Sequence, residues 1–300
     1  MAEMTRTRAP DLGRQRVRAA WSFLMPGLMV LAVVGVWPLV RTIWLSFTDA
    51  ILGESGAAQF VGWKNYRLLL DDPAWWTSVW NTVVFAFSSV ALETVLGLIF
   101  ALVLNAGLKG GTIIRAAVLV PWAVPLVVSG KMWAWMYHDL YGVVNTMLID
   151  LGFISEGIAW LAEPGLALGA IVFTDVWKTT PFMAMLLLAG LQMIPRDLYE
   201  AARIDGVSAF RVFFRVTLPL LMPILLVAVI FRTLDALRIF DLIYVMTSNS
   251  RATASMSVFA RQQLVDFAQV GYGSAASVLI FVMIALFTAA YLTAGRRYIK

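Results

Sequence analysis

The sequence predicts an all-α integral membrane protein with six transmembrane helices. Hydrophobic residues make up 61% of its 300 residues and charged residues only 14%, whereas an ordinary soluble domain carries about 25% charged residues. The apolar residues gather in long stretches that could each cross a bilayer as a helix. The chain has no cysteine and a single histidine, His138. This excludes disulfides, thiolate nucleophiles, zinc–cysteine sites and any metal site that needs two histidines.

The predicted spans differ in how they begin and in what interrupts them. The first follows several arginines, as the core of a signal peptide would, but its apolar part is too long and no small-residue cleavage site follows it. We therefore interpret it as an additional, uncleaved first span. Pro121 and Pro125 predict a kink or an interruption in the third span. The six spans cover residues 20–47, 77–104, 113–137, 166–191, 216–237 and 273–294.

The connections between the spans leave no room for a separate soluble domain. In the extracytoplasmic loop 48–76, the segment FVGWKNYRLLL predicts a short helix at the membrane interface. Residues 138–165 are rich in glycine and acidic residues and predict a loop. Basic residues concentrate in the N-terminal tail (1–19), the C-terminal tail (295–300) and the connections after the second and fourth spans. The positive-inside rule therefore places both termini in the cytoplasm.

The connection between the fourth and fifth spans, residues 192–215, has the signals of two short helices. Pro195 suits a first helical turn, and Glu200 places an acid near the positive end of that helix. Gly206 permits a tight turn, and a second helical stretch begins at Ala209. A simple connector between adjacent spans needs only a few residues. The segment is therefore either a structured surface loop or an element that docks on another protein.

A wider pattern in this connection resembles a known family. The letters EAA at 200–202 are followed after three residues by Gly206, and after nine more by VTLP at 216–219. This is similar to the EAA signature of permease subunits in ATP-driven, binding-protein-dependent importers, with valine for isoleucine as the only departure. The flanking segments VWKTTPFMAMLLLAGLQMIP and FRTLDALRIFDLIYVMT resemble the MalF-type sugar permeases, in particular the trehalose and maltose branch that includes SugA. The likeness covers roughly residues 60 to 295.

The resemblance implies the fold of such a subunit. This would be the type I ABC importer permease fold (MetI-like), with a permease domain at 77–294 that contains the EAA loop 192–215. One helix of that loop, the coupling helix, would sit in a cleft of a cytoplasmic ATPase. The residues implied to couple to the ATPase are Glu200, Ala201, Ala202, Asp205 and Gly206.

The resemblance also implies partners. They are a second, MalG-type permease subunit in a heterodimer, a dimer of ATPase subunits, an extracytoplasmic sugar-binding protein or lipoprotein, and membrane lipid. No nucleic acid is expected, because the net charge of +5 follows the topology. The chain itself would bind no cofactor and would not be an enzyme, since ATP and Mg²⁺ would be used by the partner ATPase. In agreement, the sequence contains no G-x-x-x-x-G-K-[ST] phosphate-binding loop.

The implied function is that of a translocation subunit in a bacterial or archaeal plasma (inner) membrane, moving a disaccharide such as trehalose or maltose inward by alternating access. A sugar phosphate or a glycerol phosphate is an alternative substrate. An ion-coupled secondary transporter, a different class, would use Glu93, Asp175 or Asp235 as a relay, but the sequence lacks clear inverted repeats. An intramembrane enzyme would need a recognisable nucleophile turn, which the sequence also lacks.

Ionisable residues within the spans are costly in lipid and usually face a bundle interior or a water-filled cavity. Glu93 lies near the middle of the second span. In the fourth span Asp175 and Lys178 are three residues apart, and so are Arg232 and Asp235 in the fifth. Each pair can share a helix face, so the sequence predicts two ion pairs. The second pair either snorkels to the outer interface or lines a cavity.

In MalF-type permeases the sugar contacts come from the fourth and fifth of these spans, so the resemblance implies a substrate pathway here. The matching positions are Lys178, Thr179, Phe182, Arg232, Asp235, Ala236 and Ile239, to which the ionisable residues Glu93 and Asp175 are added. Phe182 would stack on a sugar ring, and the polar groups would bind its hydroxyls. The charged residues also admit an anionic substrate. Because each cation has an acid three residues away, we expect a neutral polyol.

Overall fold

The computed structural model of the chain describes residues 12–54, 58–107 and 110–295. The predicted cytoplasmic tails therefore lie mostly outside the described residues, and residues 12–19 already belong to the first helix. Within the described ranges the chain is helical apart from turns and one isolated antiparallel bridge between Thr48 and Phe60. This agrees with the predicted all-α class.

In the described part of the chain, five helices or helix runs are long and apolar enough to cross a membrane. In chain order they are α1 (Leu12–Leu31) continued through a π-helical turn (Ala32–Val36) into α2 (Trp37–Leu45); α4 (Pro73–Asn105); α8 (Pro164–Gln192); α10 (Ala209–Val212) continued through a π-helical turn (Phe213–Thr217) into α11 (Leu218–Ala236); and α14 (Val270–Gly295). They correspond to the first, second, fourth, fifth and sixth predicted spans. The fifth ends within one residue of the predicted boundary.

The third predicted span is a broken one. It consists of α5 (Gly111–Ala123) and α6 (Leu126–Met136), which meet at an angle of 85°. Pro125 lacks the amide hydrogen that the helix needs and forces Val124 into an extended conformation, with φ −68° and ψ 132°. The predicted interruption of the third span is confirmed, and it lies at Pro125, whereas Pro121 lies within α5. Counted as one span, the bent pair brings the total to six.

Shorter helices cover the connections. The short helix predicted within the loop 48–76 is present as α3 (Lys64–Asp71), which buries Asn65, Tyr66 and Leu69. Residues 138–165 were predicted as a loop but contain α7 (Val143–Asp150), because the apolar run VVNTMLID outweighs the glycines around it. The remaining short helices are α9 (Arg196–Ile204), α12 (Asp241–Thr247) and α13 (Met256–Arg261), the last continued by a π-helical turn (Gln262–Asp266).

The helical core is centred on α4 and α8, which pack along their length. They are in close contact at Gly97, where a Cβ atom would lie 2.6 Å from Met183 Cγ and 3.2 Å from the backbone nitrogen of Ala184. Toward the C-terminal ends of α4 and α8, Leu104, Leu187 and Leu221 belong to one apolar cluster. A second cluster, nearer the start of α8, joins α4, α6, α8 and α12. Both clusters hold α8 at the centre of the fold.

Replacing Gly97 with valine is expected to destabilise the protein by roughly 1–3 kcal/mol, because the added methyl groups would overlap Met183 and the backbone of α8. The measurement is the thermal unfolding midpoint in detergent. Gly169→Val is the matched control, since Gly169 lies on α8 with nothing within 4 Å of its would-be Cβ. Equal midpoints for the two variants would contradict the close packing.

The first span stands apart from this core. No residue between 16 and 45 is buried within the chain. Its C-terminal end is nevertheless fixed, because Asn65 Nδ2 donates to the carbonyl oxygens of Ser46 and Thr48 at 2.9 and 2.8 Å. The Ser46 hydroxyl also lies 2.6 Å from the Tyr66 hydroxyl. The span is thus anchored at its C-terminal end, where α2 also contacts α14, and it is exposed within the chain over residues 16–38.

Candidate functional site

Three charged side chains from three different helices meet inside the bundle. Arg232 on α11 donates from Nε to Glu93 Oε2 at 2.6 Å and from Nη2 to Glu93 Oε1 at 2.9 Å. The same Nη2 lies 3.2 Å from Asp175 Oδ2 on α8. The three residues are at most 3% exposed. A buried guanidinium held in this forked geometry satisfies charges that would be very costly alone.

Two hydroxyls and a third acid complete this cluster, which we call the Arg232 network. Thr179 Oγ1 lies 2.6 Å from Glu93 Oε1, and Ser89 Oγ lies 2.7 Å from the same oxygen and also contacts Asp175 Oδ2. Arg232 Nη1 donates to Asp235 Oδ2 at 2.5 Å. The Asp235 side chain is 61% exposed, unlike the other acids. The Arg232 network therefore consists of Ser89, Glu93, Asp175, Thr179, Arg232 and Asp235.

The two predicted ion pairs have different outcomes. The pair of Arg232 and Asp235 is confirmed, although Arg232 points into the bundle and does not snorkel to the interface. The prediction that Asp175 and Lys178 form an ion pair is wrong. Lys178 Nζ instead donates to backbone carbonyl oxygens at the break in the third span, 2.5 Å from Val124 O and 3.3 Å from Trp122 O. The long lysine side chain reaches carbonyls that the bend leaves free of helical partners.

A cluster of aromatic rings lies beside these charges, and we call it the ring cluster. The rings of Trp122 and Phe182 stack with centroids 5.6 Å apart and an interplanar angle of 12°. Phe231 lies 5.9 Å from Phe182 at a tilt of 43°. Trp122 is 49% exposed and Phe231 59%. Asp235 follows Phe231 by four residues, so its carboxylate shares that face of α11.

Sequence reasoning predicted Phe182 but missed its two neighbours in the ring cluster. Trp122 lies in the PWAVP segment of the broken span, and Phe231 directly precedes Arg232. These positions alone do not indicate that either ring meets Phe182, because that depends on how the helices pack. Two other predicted positions lie elsewhere. Ala236 is 2% exposed in the apolar core, and the Ile239 carbonyl accepts a hydrogen bond from Ser255.

The EAA loop projects from the bundle as a helix, a turn and a second helix, as predicted. No residue of α9 is buried. Gly206 has φ +66°, a conformation that glycine adopts without strain. Tyr199 ties α9 to the foot of the fifth span, since its hydroxyl lies 3.2 Å from Thr217 Oγ1. Glu200, Ala201 and Asp205 are exposed and Ala202 is half-buried.

The sequence of most of this helical bundle matches a known protein family. Residues 93–300 match the family described as the binding-protein-dependent transport system inner membrane component. The chain belongs to this family. It is therefore a membrane-embedded permease subunit of a binding-protein-dependent transport system.

Several curated relatives resemble this permease over nearly their whole length. It is 47% identical to the trehalose/maltose transport system permease protein MalF of Thermococcus litoralis, over 94% of this chain and 95% of that protein. It is 42% identical to the sulfoquinovosyl glycerol transport system permease protein SmoG of Agrobacterium fabrum, over 95% and 92%. It is 40% identical to the trehalose transport system permease protein SugA of Mycobacterium tuberculosis, over 90% and 86%. The predicted resemblance to the trehalose and maltose permeases is confirmed.

The fold is also that of a solved importer. The permease matches a chain of a bacterial alginate ABC transporter, crystallised with an alginate pentasaccharide-bound periplasmic protein, with a TM-score of 0.84. The match covers 95% of this chain and 96% of that one, at 19% identity. At this identity the likeness establishes the fold alone. The predicted ABC importer permease fold is confirmed.

Proposed function

We propose that this permease carries a neutral disaccharide such as trehalose or maltose, and that the sugar passes over the ring cluster and the Asp235 carboxylate. The observation that carries the proposal is an exposed aromatic surface one helical turn from an exposed acid, inside a membrane-spanning bundle. The relatives named above for trehalose and maltose transport support the same substrate class.

The chemistry of this surface suits a sugar. The apolar face of a pyranose ring stacks on aromatic rings, and its hydroxyls donate to carboxylate oxygens. Trp122 and Phe231 leave about half of their surface uncovered. An exposed carboxylate does not face lipid, because ionisable groups in spans line cavities or partner surfaces. The ring cluster and Asp235 therefore form one wall of a polar pathway.

The charge of this wall favours a neutral substrate over a sugar phosphate. Lys178 is not paired with the acid three residues away, so the expectation of a neutral polyol does not rest on that pair. The donors of Lys178 are used by backbone carbonyls and those of Arg232 by carboxylates, whereas Asp235 is exposed. The exposed charge beside the rings is thus negative and repels an anion.

We further propose the assembly that the function requires. The exposed α9, with Glu200, Ala201, Ala202, Asp205 and Gly206, docks on a cytoplasmic ATPase, which exists as a dimer and uses ATP and Mg²⁺. A MalG-type permease supplies the other wall of the pathway, and a sugar-binding protein or lipoprotein delivers the sugar from outside. The permease domain spans 77–294, and both termini lie in the cytoplasm of a bacterium or archaeon.

Transport by a reconstituted complex tests the proposed function. The permease, its partner permease, the ATPase and the binding protein are placed in proteoliposomes, and uptake of radiolabelled trehalose and maltose is followed. ATP-dependent uptake that excess glycerol phosphate does not inhibit is the expected result. Uptake driven by a proton gradient without ATP would instead support an ion-coupled carrier. Inhibition by glycerol phosphate would support the anionic substrate.

Reversing the charge of Glu200 is expected to weaken binding of the permease to the ATPase several-fold. Glu200 is exposed on α9 and has no ion-pair partner among the described residues, so Glu200→Arg leaves the fold intact and alters only the docking surface. The measurement is the ratio of ATPase to permease after affinity purification of the tagged permease. Glu156→Arg, in the exposed connection before α8, is the control. An unchanged ratio for Glu200→Arg would contradict docking through this helix.

A further inference from the structure

The break in the third span creates a hydrogen-bonding problem. The last carbonyl groups of a helix have no partner within the helix, and α5 ends at Ala123 in the membrane-spanning part of the chain. Val124 is extended, so its carbonyl also lies outside helical geometry. Irregular backbone at membrane depth is tolerated only where other groups form hydrogen bonds with its free N–H and C=O groups. The break therefore needs a donor from elsewhere in the protein.

Lys178 supplies that donor. Its Nζ lies 2.5 Å from Val124 O, 3.3 Å from Trp122 O and 3.5 Å from Pro121 O. An ammonium group has three donors and no acceptor, so three carbonyls use its capacity fully. A cation at the C-terminal end of a helix also interacts favourably with the helix dipole. Lys178 is 7% exposed, which leaves little of it to contact a substrate.

The same face of α8 also holds the Trp122 side chain. Phe182 follows Lys178 by four residues and so lies one turn along the same face. Its ring stacks on the Trp122 ring at 5.6 Å. Trp122 is thus held twice, at its carbonyl by Lys178 and at its ring by Phe182. The orientation of the ring depends on both contacts.

We propose that Lys178 is a positioning residue for sugar binding. It clamps the break in the third span, and the clamp sets the plane of the Trp122 ring without any contact between the lysine and the sugar. The proposal rests on the proposed function, because it gives Trp122 a sugar to stack on. It assigns the intramembrane lysine a role different from that of a direct hydroxyl ligand.

The Trp122 ring can be observed directly. The complete transporter complex is prepared with 5-fluorotryptophan, and the ¹⁹F resonance of Trp122 is assigned by its loss in Trp122→Phe. In Lys178→Met this resonance is expected to shift or broaden, and in Lys178→Arg to stay close to its original position, because arginine again offers donors to the carbonyls. Lys131→Met removes an exposed lysine of α6 and is expected to leave the resonance unchanged.

Equilibrium binding of radiolabelled trehalose to the complex without its binding protein gives the second measurement. Lys178→Met is expected to weaken trehalose binding roughly threefold to tenfold. Lys178→Arg is expected to restore most of the affinity. This variant also keeps the test decisive if Lys178→Met does not yield folded protein.

The outcomes separate this inference from the proposed function. An unchanged Trp122 resonance in Lys178→Met overturns the clamp, even where Trp122→Ala weakens trehalose binding as proposed. A shifted resonance with unchanged affinity in both Lys178→Met and Trp122→Ala overturns the sugar site, and with it the positioning role. A shifted resonance together with weakened binding supports both.

Discussion

Arg232→Met is expected to destabilise the bundle by roughly 3–5 kcal/mol, because it leaves buried carboxylates without their cation. Glu93 is fully buried and Asp175 is 3% exposed, and both are bonded to the Arg232 guanidinium. Methionine fills much of the volume of arginine but neutralises neither acid. The yield of monodisperse protein and the thermal unfolding midpoint in detergent are the measurements.

Two further variants identify the cause of that loss. Arg238→Met removes an exposed arginine just beyond α11 whose Nε contacts a backbone carbonyl, and it is expected to be neutral within about 0.5 kcal/mol. Adding Glu93→Gln and Asp175→Asn to Arg232→Met removes the buried charges altogether and is expected to recover part of the stability. A triple variant less stable than Arg232→Met would show that packing, and not the unpaired charge, is at fault.

The parts of the fold that follow from local sequence were predictable. Pro125 alone forces an interruption of the third span, and Gly206 permits the turn after α9 by its freedom at positive φ. Likewise, Arg232 and Asp235 are near neighbours on one helix, so their pairing depends only on helical geometry. In each case the residues that decide the structure lie within a few positions of one another.

The centre of the Arg232 network was not predictable in the same way. Glu93 and Arg232 are 139 residues apart, and nothing in either span indicates which helices are neighbours. The error at Lys178 has the same origin. Its nearest acid in sequence is Asp175, but the bend at Pro125 brings unpaired carbonyls closer, and they bind the ammonium instead. Pairing within one helix is a local prediction, whereas choice among partners depends on the tertiary fold.

The ring cluster could be predicted from the sequence only in part. Phe182 could be predicted through the family resemblance, but Trp122 and Phe231 lie on two other helices. One tryptophan among the 12 of the chain carries no local mark of its role. Only the packing of α5 and α11 against α8 brings the three rings together. The most exposed part of the candidate site was therefore the part least evident in the sequence.

Trp122→Ala is expected to weaken trehalose binding to the complex roughly tenfold. Fully burying a large apolar side chain contributes about 1.5–3 kcal/mol, and about half of the large indole surface is left for a sugar to cover, so a loss near 1.4 kcal/mol, a factor of ten in affinity, is expected. Because the binding protein captures the sugar first, the affinity is best measured on the complex without it, by equilibrium binding of radiolabelled trehalose. Phe231→Ala is expected to have a similar but smaller effect, since a phenyl ring offers less surface than an indole.

Two controls show whether the lost affinity comes from the ring itself. Trp122→Phe keeps an aromatic surface against Phe182 and is expected to retain most of the binding. Trp80→Ala removes another exposed tryptophan, on α4 and 67% exposed, away from the ring cluster, and is expected to leave binding unchanged. Equal losses for Trp122→Ala and Trp80→Ala would place the sugar elsewhere. A selective loss at Trp122, restored by phenylalanine, would mean that stacking on this ring contributes directly to sugar recognition within the membrane.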